Sequence, residues 1–189
     1  MIPNNIKDYV KVYDNCIDLQ LCKSIVSNLE KSDWKEHQFY DPAIGYFSKE
    51  KELSVSFNDI PESIELKKIF WLALDRYIMK DFSKFNSWFN GWEGFSHLRF
   101  NRYSTNTQMA VHCDHIKSMF DGERKGIPIL SIVAGLNDNY EGGEFIMWNS
   151  EKIHIRPGSI LIFPSNFIYP HAVSEVTSGT RYTCVSWVW

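Results

Sequence analysis

Residues 108–114 read Gln-Met-Ala-Val-His-Cys-Asp, a short, mostly apolar run that ends on two potential metal ligands, His112 and Asp114. Runs of this length that are rich in β-formers and bounded by turn residues are typical of strands. Side chains two residues apart in a strand project from the same face. One imidazole and one carboxylate can therefore reach a common point, which makes this stretch the starting point for the fold and the site.

Similar short runs follow one another through the second half of the chain. Turn-prone residues separate them, among them Gly142-Gly143 and Arg156-Pro157-Gly158. Eight such strands with turns between them are typical of a double-stranded β-helix, the jelly roll. The eight runs cover residues 97–103, 108–114, 128–136, 144–148, 152–155, 159–163, 169–175 and 180–188.

A third potential ligand, His171, stands near the start of the run 169–175. If that strand lies beside the strand of His112 and Asp114, two histidines and one carboxylate meet on one face of a metal ion. Such a triad leaves coordination positions open on ferrous iron, as oxygen chemistry requires. The sequence therefore predicts a metal site at His112, Asp114 and His171.

Arg181 follows His171 after the turn residues 177–180, which we expect to bring the last strand back beside the seventh. Its guanidinium can pair bidentately with the distal carboxylate of a 2-oxo acid that chelates the metal. Thr183 lies two residues further on the same strand face and can add a hydroxyl hydrogen bond.

The first half of the chain has helical periodicity instead. Asp18 can cap one helix, and a second helix follows Pro61. Short strands are expected at 10–13, 34–40 and 53–57. We expect a mainly β fold with supporting helices, in a single domain over 1–189. Residues 97–189 are expected to form the jelly-roll core, and residues 1–96 to supply helical support and lid strands. The helices are expected to pack on an outer face of the core.

Composition limits the classes of partner and location. The formal net charge is −3, so no basic excess indicates nucleic acid. No apolar run approaches the roughly 20 residues that span a bilayer, and the N-terminus lacks a signal pattern, so we expect a cytoplasmic protein without membrane contact. The cysteines are expected to be reduced thiols because no CxxC pair occurs among them. They are Cys16, Cys22, Cys113 and Cys184.

Residues 97–189 resemble the jelly-roll core of the prolyl 4-hydroxylase-like branch of the 2-oxoglutarate/Fe(II) oxygenases. The motif His112-x-Asp114, His171 and Arg181 match the metal and co-substrate positions of that family in order and spacing. Tyr103 stands where related enzymes place a tyrosine near 2-oxoglutarate. Residues 141–144 and 157–159 resemble turn segments of the family, whereas the first half of the chain is similar only in general layout.

The resemblance implies an iron(II)- and 2-oxoglutarate-dependent dioxygenase that hydroxylates an unactivated carbon with O2 and releases succinate and CO2. It implies that His112, Asp114 and His171 are the catalytic iron ligands and that Arg181, Thr183 and Tyr103 bind 2-oxoglutarate. The branch favours a prolyl or other amino-acid side chain as the site of hydroxylation, in a peptide or a small amino-acid-like substrate.

Other interpretations remain open beside this one. A non-catalytic jelly-roll binding module would use the histidines for structure, and a cupin-like metalloenzyme would leave Arg181 and Thr183 unexplained. A nucleic-acid demethylase of the same superfamily is disfavoured because residues 182–187 lack a second arginine. A halogenase is disfavoured because Asp114 occupies the position that a halide would need.

Two loops are candidates for substrate selection. Residues 40–53, with Gly45 as a hinge, can fold over the site as a lid. Residues 115–126 can read an acidic or main-chain group, and their basic residues are Lys117, Arg124 and Lys125. Plain solvated loops would explain both segments equally well.

Overall fold

The computed structural model describes residues 4–37, 40–41, 46–47, 52–89, 94–115 and 127–189. Most of the two candidate lid loops, with Gly45, Lys117, Arg124 and Lys125, lies outside the described residues. The helices are α1 (Leu19–Leu29), α2 (Ser63–Asp75), a π-helix (Arg76–Asp81) and two 3-10 helices (Ile6–Tyr9 and Ser83–Phe89). The strands are β1 (Lys11–Tyr13), β2 (Lys35–Glu36), β3 (Tyr40–Asp41), β4 (Tyr46–Phe47), β5 (Ser54–Ser56), β6 (Arg99–Ser104), β7 (Met109–His112), β8 (Leu130–Gly135), β9 (Tyr140–Gly142), β10 (Phe145–Met147), β11 (Glu151–Ile153), β12 (Ile160–Pro164), β13 (His171–Val173) and β14 (Val176–Val188).

Among the described residues, two antiparallel sheets form the core. The larger sheet has the strand order β1-β12-β8-β14-β6-β5-β2, and β9 pairs with the first part of β14. The smaller sheet has the order β11-β10-β13-β7. From β11 to β14, strands that are consecutive along the chain alternate between the two sheets. This alternation between two facing sheets is the arrangement of a jelly roll.

Alternation of side chains along β12 shows how the larger sheet is buried on both faces. Ile160 and Ile162 belong to the apolar cluster that also contains the buried residues of α1 and α2. Leu161 and Phe163 belong to the second cluster, between the two sheets. Because successive side chains of a strand point to opposite faces, the helices cover one face of the sheet and the smaller sheet covers the other.

The two long helices begin where the sequence predicts. The Asp18 side chain accepts hydrogen bonds from the backbone N–H groups of Gln20 and Leu21, which caps α1. α2 begins two residues after Pro61. Its N-cap residue, Glu62, has no capping bond of its own. Instead its carboxylate accepts a hydrogen bond from Asn28 Nδ2 at 2.9 Å, and this ties α2 to α1.

The predicted mainly β fold class is confirmed, and each of the eight predicted runs contains a strand. The differences lie at strand ends. Residues 177–180 were predicted to be a turn but belong to β14, which starts at Val176, and β14 does not lie beside β13. The run 108–114 is a strand only to His112, and the run 34–40 contains β2 and the first residue of β3. None of the described helices has both the length and the apolar character needed to cross a bilayer.

Candidate active site

β7 and β13 bring the first ligands together at the edge of the smaller sheet. His112 stands directly opposite His171, while Val173 stands opposite Met109. Between these two pairs, β7 advances by three residues and β13 by only two, so β7 contains a β-bulge. The bulge changes the strand parity, so that both Met109 and His112 line the pocket between the sheets. β7 ends there, and Asp114 follows in a bend.

The three predicted metal ligands meet at one point. Nε2 of His112 is 3.4 Å from Oδ1 of Asp114, and Nε2 of His171 is 3.7 Å from Oδ2 of the same carboxylate. All three ligand atoms lie within 4.8 Å of one another. Atoms that share a first-row metal at about 2 Å are themselves a few ångströms apart, so this spacing fits a single ion. Two imidazole nitrogens and one carboxylate oxygen are also the donor set of non-haem iron sites.

Backbone carbonyls orient both imidazoles. Nδ1 of His112 lies 2.8 Å from the Ala110 carbonyl oxygen, and Nδ1 of His171 lies 3.1 Å from the Tyr169 carbonyl oxygen. A carbonyl oxygen only accepts, so each Nδ1 must carry the proton. The Nε2 atoms therefore carry the lone pairs that can bind a cation, which is the usual outer-shell arrangement of metal-binding histidines.

A serine pair holds the carboxylate. Ser131 Oγ donates to Asp114 Oδ2 at 2.6 Å, and Ser165 Oγ lies 2.8 Å from Ser131 Oγ. Because Ser131 gives its one proton to the carboxylate, Ser165 must be the donor to Ser131. Burial raises the pKa of Asp114, but His171, His112 and the Ser131 hydroxyl together hold that pKa well below its usual range. Asp114 is thus a fixed anion.

His171 is packed as a neutral ring. It stacks on Phe145 with ring centroids 5.2 Å apart and meets the edge of Phe163 at 4.9 Å. Burial lowers the pKa of His171 to about 4, although Asp114 opposes this shift. The imidazole is therefore unprotonated near neutral pH, the form in which histidine binds a metal.

The side chains of β14 that face the smaller sheet line the rest of the pocket. Arg181 is 3% exposed and its Cζ lies 5.0 Å from the centre of the Tyr103 ring, which faces it across the β14–β6 ladder. Gly143 makes room for this arginine, since a Cβ there would lie 3.0 Å from Arg181 Cδ. Thr183 is 1% exposed, and its Oγ1 has no hydrogen-bond partner among the described residues.

The structure places every predicted site residue in one pocket and adds several that the sequence analysis missed. Cys113 does not line it. The pocket has about 410 Å³ of space, its open mouth included. The added polar residues are Arg99, Asn101 and Ser131. Parity could have found two of them, because Arg99 and Asn101 are four and two residues before Tyr103 on one strand face. No sequence signal identifies Ser131.

The second half of this chain is similar to a known protein family. Residues 98–189 match the model of the 2OG-Fe(II) oxygenase superfamily. The match covers just under half of the chain. The predicted likeness to the prolyl 4-hydroxylase-like branch of the superfamily is confirmed. This likeness implies Fe(II), 2-oxoglutarate and O2, and His112, Asp114 and His171 form the candidate iron site.

Relatives in sequence are bacterial PKHD-type hydroxylases. One from Prochlorococcus marinus (strain MIT 9301) is 44% identical over 96 residues, which are 48% of this chain and 40% of that protein. Another, from Crocosphaera subtropica, is 34% identical over 96 residues, or 48% of this chain and 41% of the relative. The matched part of the oxygenase thus spans about two fifths of the length of these curated relatives.

Solved structures share the fold over nearly the whole chain. A prolyl hydroxylase from Trichoplax adhaerens, in complex with a peptide fragment of the hypoxia inducible factor oxygen degradation domain, gives a TM-score of 0.68 at 16% identity and covers 96% of this chain and 84% of its own. A viral collagen prolyl hydroxylase from Paramecium Bursaria Chlorella virus-1 gives a TM-score of 0.65 at 15% identity. The match covers 95% of this chain and 94% of the viral protein's chain. At these identities the likeness concerns the fold alone.

Proposed function

We propose that the chain is an iron(II)- and 2-oxoglutarate-dependent hydroxylase that acts on an unactivated carbon of an amino-acid residue. One observation carries the proposal. A three-ligand cluster of His112, Asp114 and His171 opens into the same pocket as a buried arginine, Arg181, and a buried hydroxyl without a partner, on Thr183. A metalloenzyme without 2-oxoglutarate would leave that second pair unexplained.

The proposed iron ligands are Nε2 of His112, a carboxylate oxygen of Asp114 and Nε2 of His171. The carbonyls of Ala110 and Tyr169 fix the two rings, so the lone pairs are oriented before any metal binds. When bound, ferrous iron and 2-oxoglutarate would supply the oxygen activation, with succinate and CO2 as co-products. The protein itself fixes the ligand geometry.

The proposed 2-oxoglutarate anchor is Arg181, assisted by Thr183 and Tyr103. Arg181 supplies the charge that a buried distal carboxylate requires. Thr183 Oγ1 lies on the same face and has a proton to donate. Burial raises the pKa of Tyr103, although Arg181 and Arg99 oppose this, so its hydroxyl stays protonated and remains a donor. Three donors in one region suit the several lone pairs of a carboxylate.

The proposed substrate is a prolyl or other amino-acid side chain, in a peptide or an amino-acid-like small molecule. Support comes from the fold that the chain shares with prolyl hydroxylases, one of them solved with a peptide. We further propose a cytoplasmic location. All four cysteines are free thiols, and reduced thiols are typical of a reducing compartment, which also preserves ferrous iron.

The test is iron-dependent conversion of 2-oxoglutarate to succinate, with peptides and free amino acids screened for a mass gain of one oxygen. The parent should form succinate only when Fe(II) is present. Asp114→Ala should abolish this because the only anionic ligand is lost. Cys113→Ser, one residue away but outside the pocket, should remain active. A parent that binds neither iron nor 2-oxoglutarate would favour the non-catalytic module instead.

A further inference from the structure

A second arginine lines the pocket at the end opposite Arg181. Arg99 pairs with Val185 across the β14–β6 ladder, whereas Tyr103 pairs with Arg181. Four residues of strand separate the two pairs, or roughly 13 Å along the sheet. The guanidinium of Arg99 lies over Trp187, with Cζ 4.7 Å from the ring centre. Trp187 pairs with Ser131, the residue that holds Asp114, so Arg99 stands at the metal end of the pocket.

A buried donor beside the metal end has no partner. Nε of Arg99 is buried and makes no hydrogen bond to the described residues. Asn101 follows on the same strand face, is 3% exposed, and its side chain is hydrogen-bonded to Tyr103. Both residues line the pocket. Buried polar groups are normally hydrogen-bonded, so unpartnered donors and acceptors in a pocket indicate groups that a ligand satisfies.

Arg99 is a buried cation for which no salt bridge is present among the described residues. The acidic groups near it are Asp114 and Glu52. Ser131 donates a hydrogen bond to Asp114, and the Glu52 carboxylate lies 2.9 Å from His37 Nδ1 and 3.4 Å from the Ala110 amide. The guanidinium of Arg99 can therefore pair with a carboxylate that enters the pocket.

We propose that Arg99 forms a second carboxylate-binding subsite at the metal end of the pocket. The inference rests on the proposed function and extends it to the substrate class. The position of Arg99, roughly 13 Å along the sheet from Arg181, favours a carboxylate of the substrate itself, such as the α-carboxylate of an amino acid or an acidic group close to the hydroxylated carbon. The chelating carboxylate of 2-oxoglutarate is the second source of the same chemistry.

Arg102 provides a matched control on the same strand. Its guanidinium stacks on Trp34 with Cζ 4.6 Å from the ring centre, and its buried Nε also lacks a hydrogen bond among the described residues. It points away from the pocket, which it does not line. Arg102→Met therefore removes the same kind of stacking contact as Arg99→Met but no pocket charge. Arg99→Lys retains the charge without the planar fork.

The experiment uses protein loaded with Zn(II), which is inert to oxygen, and has two arms. In the first, 2-oxobutyrate, which has only the chelating carboxylate, is titrated by calorimetry. In the second arm, saturation-transfer NMR compares the binding of acetate with that of its neutral analogue acetamide. The comparison is made on protein saturated with 2-oxoglutarate and is repeated on metal-free protein. We expect acetate to give a signal that acetamide does not give. Arg99→Met should reduce this signal at least fivefold, Arg99→Lys less, and Arg102→Met not at all.

The outcomes separate the sources. Loss of the acetate signal alone assigns the subsite to the substrate, whereas a tenfold or greater loss of 2-oxobutyrate affinity in Arg99→Met assigns it to 2-oxoglutarate. If neither arm responds to Arg99→Met, or if Arg102→Met produces equal losses, the subsite does not exist and Arg99 is a packing residue. Failure of the parent to bind 2-oxoglutarate would instead count against the proposed function. In that case, the acetate comparison in metal-free protein still tests whether Arg99 binds a carboxylate.

Discussion

Replacing Arg181 by Met removes the proposed 2-oxoglutarate anchor without touching the iron ligands. Arg181 is 3% exposed, so a distal carboxylate that loses this partner is left buried and uncompensated. Breaking a buried ion pair from one side typically costs about 3–5 kcal/mol, which corresponds to roughly a hundredfold to a few thousandfold loss of affinity. Partial access of water through the pocket mouth would place the loss toward the lower value.

The fold itself should tolerate this change. The substitution loses a stacking contact with Tyr103, which is worth about 1 kcal/mol. It also removes a buried charge that no described carboxylate pairs with, and Met keeps most of the side-chain length. The melting temperature should therefore stay within a few degrees of the parent value.

The assay is anaerobic calorimetric titration of 2-oxoglutarate into protein loaded with Mn(II), with metal content determined by elemental analysis. Arg102→Met, which lies outside the pocket, is the control for loss of a stacked arginine. The expected result is normal metal content with a loss of 2-oxoglutarate affinity of at least a hundredfold. Unchanged affinity in Arg181→Met would show that this arginine is not the anchor.

Three other changes test neighbouring parts of the site. Thr183→Val is nearly isosteric and should weaken 2-oxoglutarate binding about tenfold, because the hydroxyl is lost. Equal affinity by calorimetry would show that Thr183 does not bind 2-oxoglutarate. Ser131→Ala should reduce metal affinity about tenfold or more, because Asp114 loses its 2.6 Å hydrogen bond. A competition assay with a chelator measures this affinity, and an unaltered value would show that Ser131 does not support the metal site. The lowered pKa of His171, about 4 against 6.5 in the unfolded chain, means that the unfolded state binds the proton first. The free energy of unfolding of metal-free protein should therefore fall by up to about 3 kcal/mol as pH drops from 6.5 to 4, and a flat profile in denaturant titrations would contradict the neutral, buried ring.

Local sequence signals predicted much of the fold. The Asp18 cap, Pro61 and the β-rich runs after residue 97 correspond to α1, α2 and the strands of the two sheets. These signals work because caps and period-two burial act over a few residues. The turn-prone residues Gly142 and Gly143 have positive φ values of 73° and 63°.

Features that depend on long-range pairing were missed. β9 and the first part of β14 pair with each other, and Gly179 sits within β14 at a φ of 77°. Residues 177–180 therefore have the composition of a turn but belong to β14, because part of this segment pairs with β9. The bulge in β7 is another such feature, because only the register against β13 reveals it.

The candidate site was predictable to the extent that it rests on strand parity and on resemblance. His112 and Asp114 meet His171 as expected, even though Asp114 lies beyond the strand end. Arg99 was missed although it shares a strand face with Tyr103, because no motif includes it. Its significance appears only once its distance to Trp187 and its place at the metal end are known.

The central claim is that one iron ion binds where His112, Asp114 and His171 converge. The most direct measurement is a crystal structure of the protein loaded anaerobically with Fe(II), with the metal located by anomalous scattering at the iron edge. We predict a single iron peak within about 2.3 Å of Nε2 of both histidines and of one Asp114 oxygen. The account would be contradicted if no peak lay at this point, or if the iron were bound by other residues.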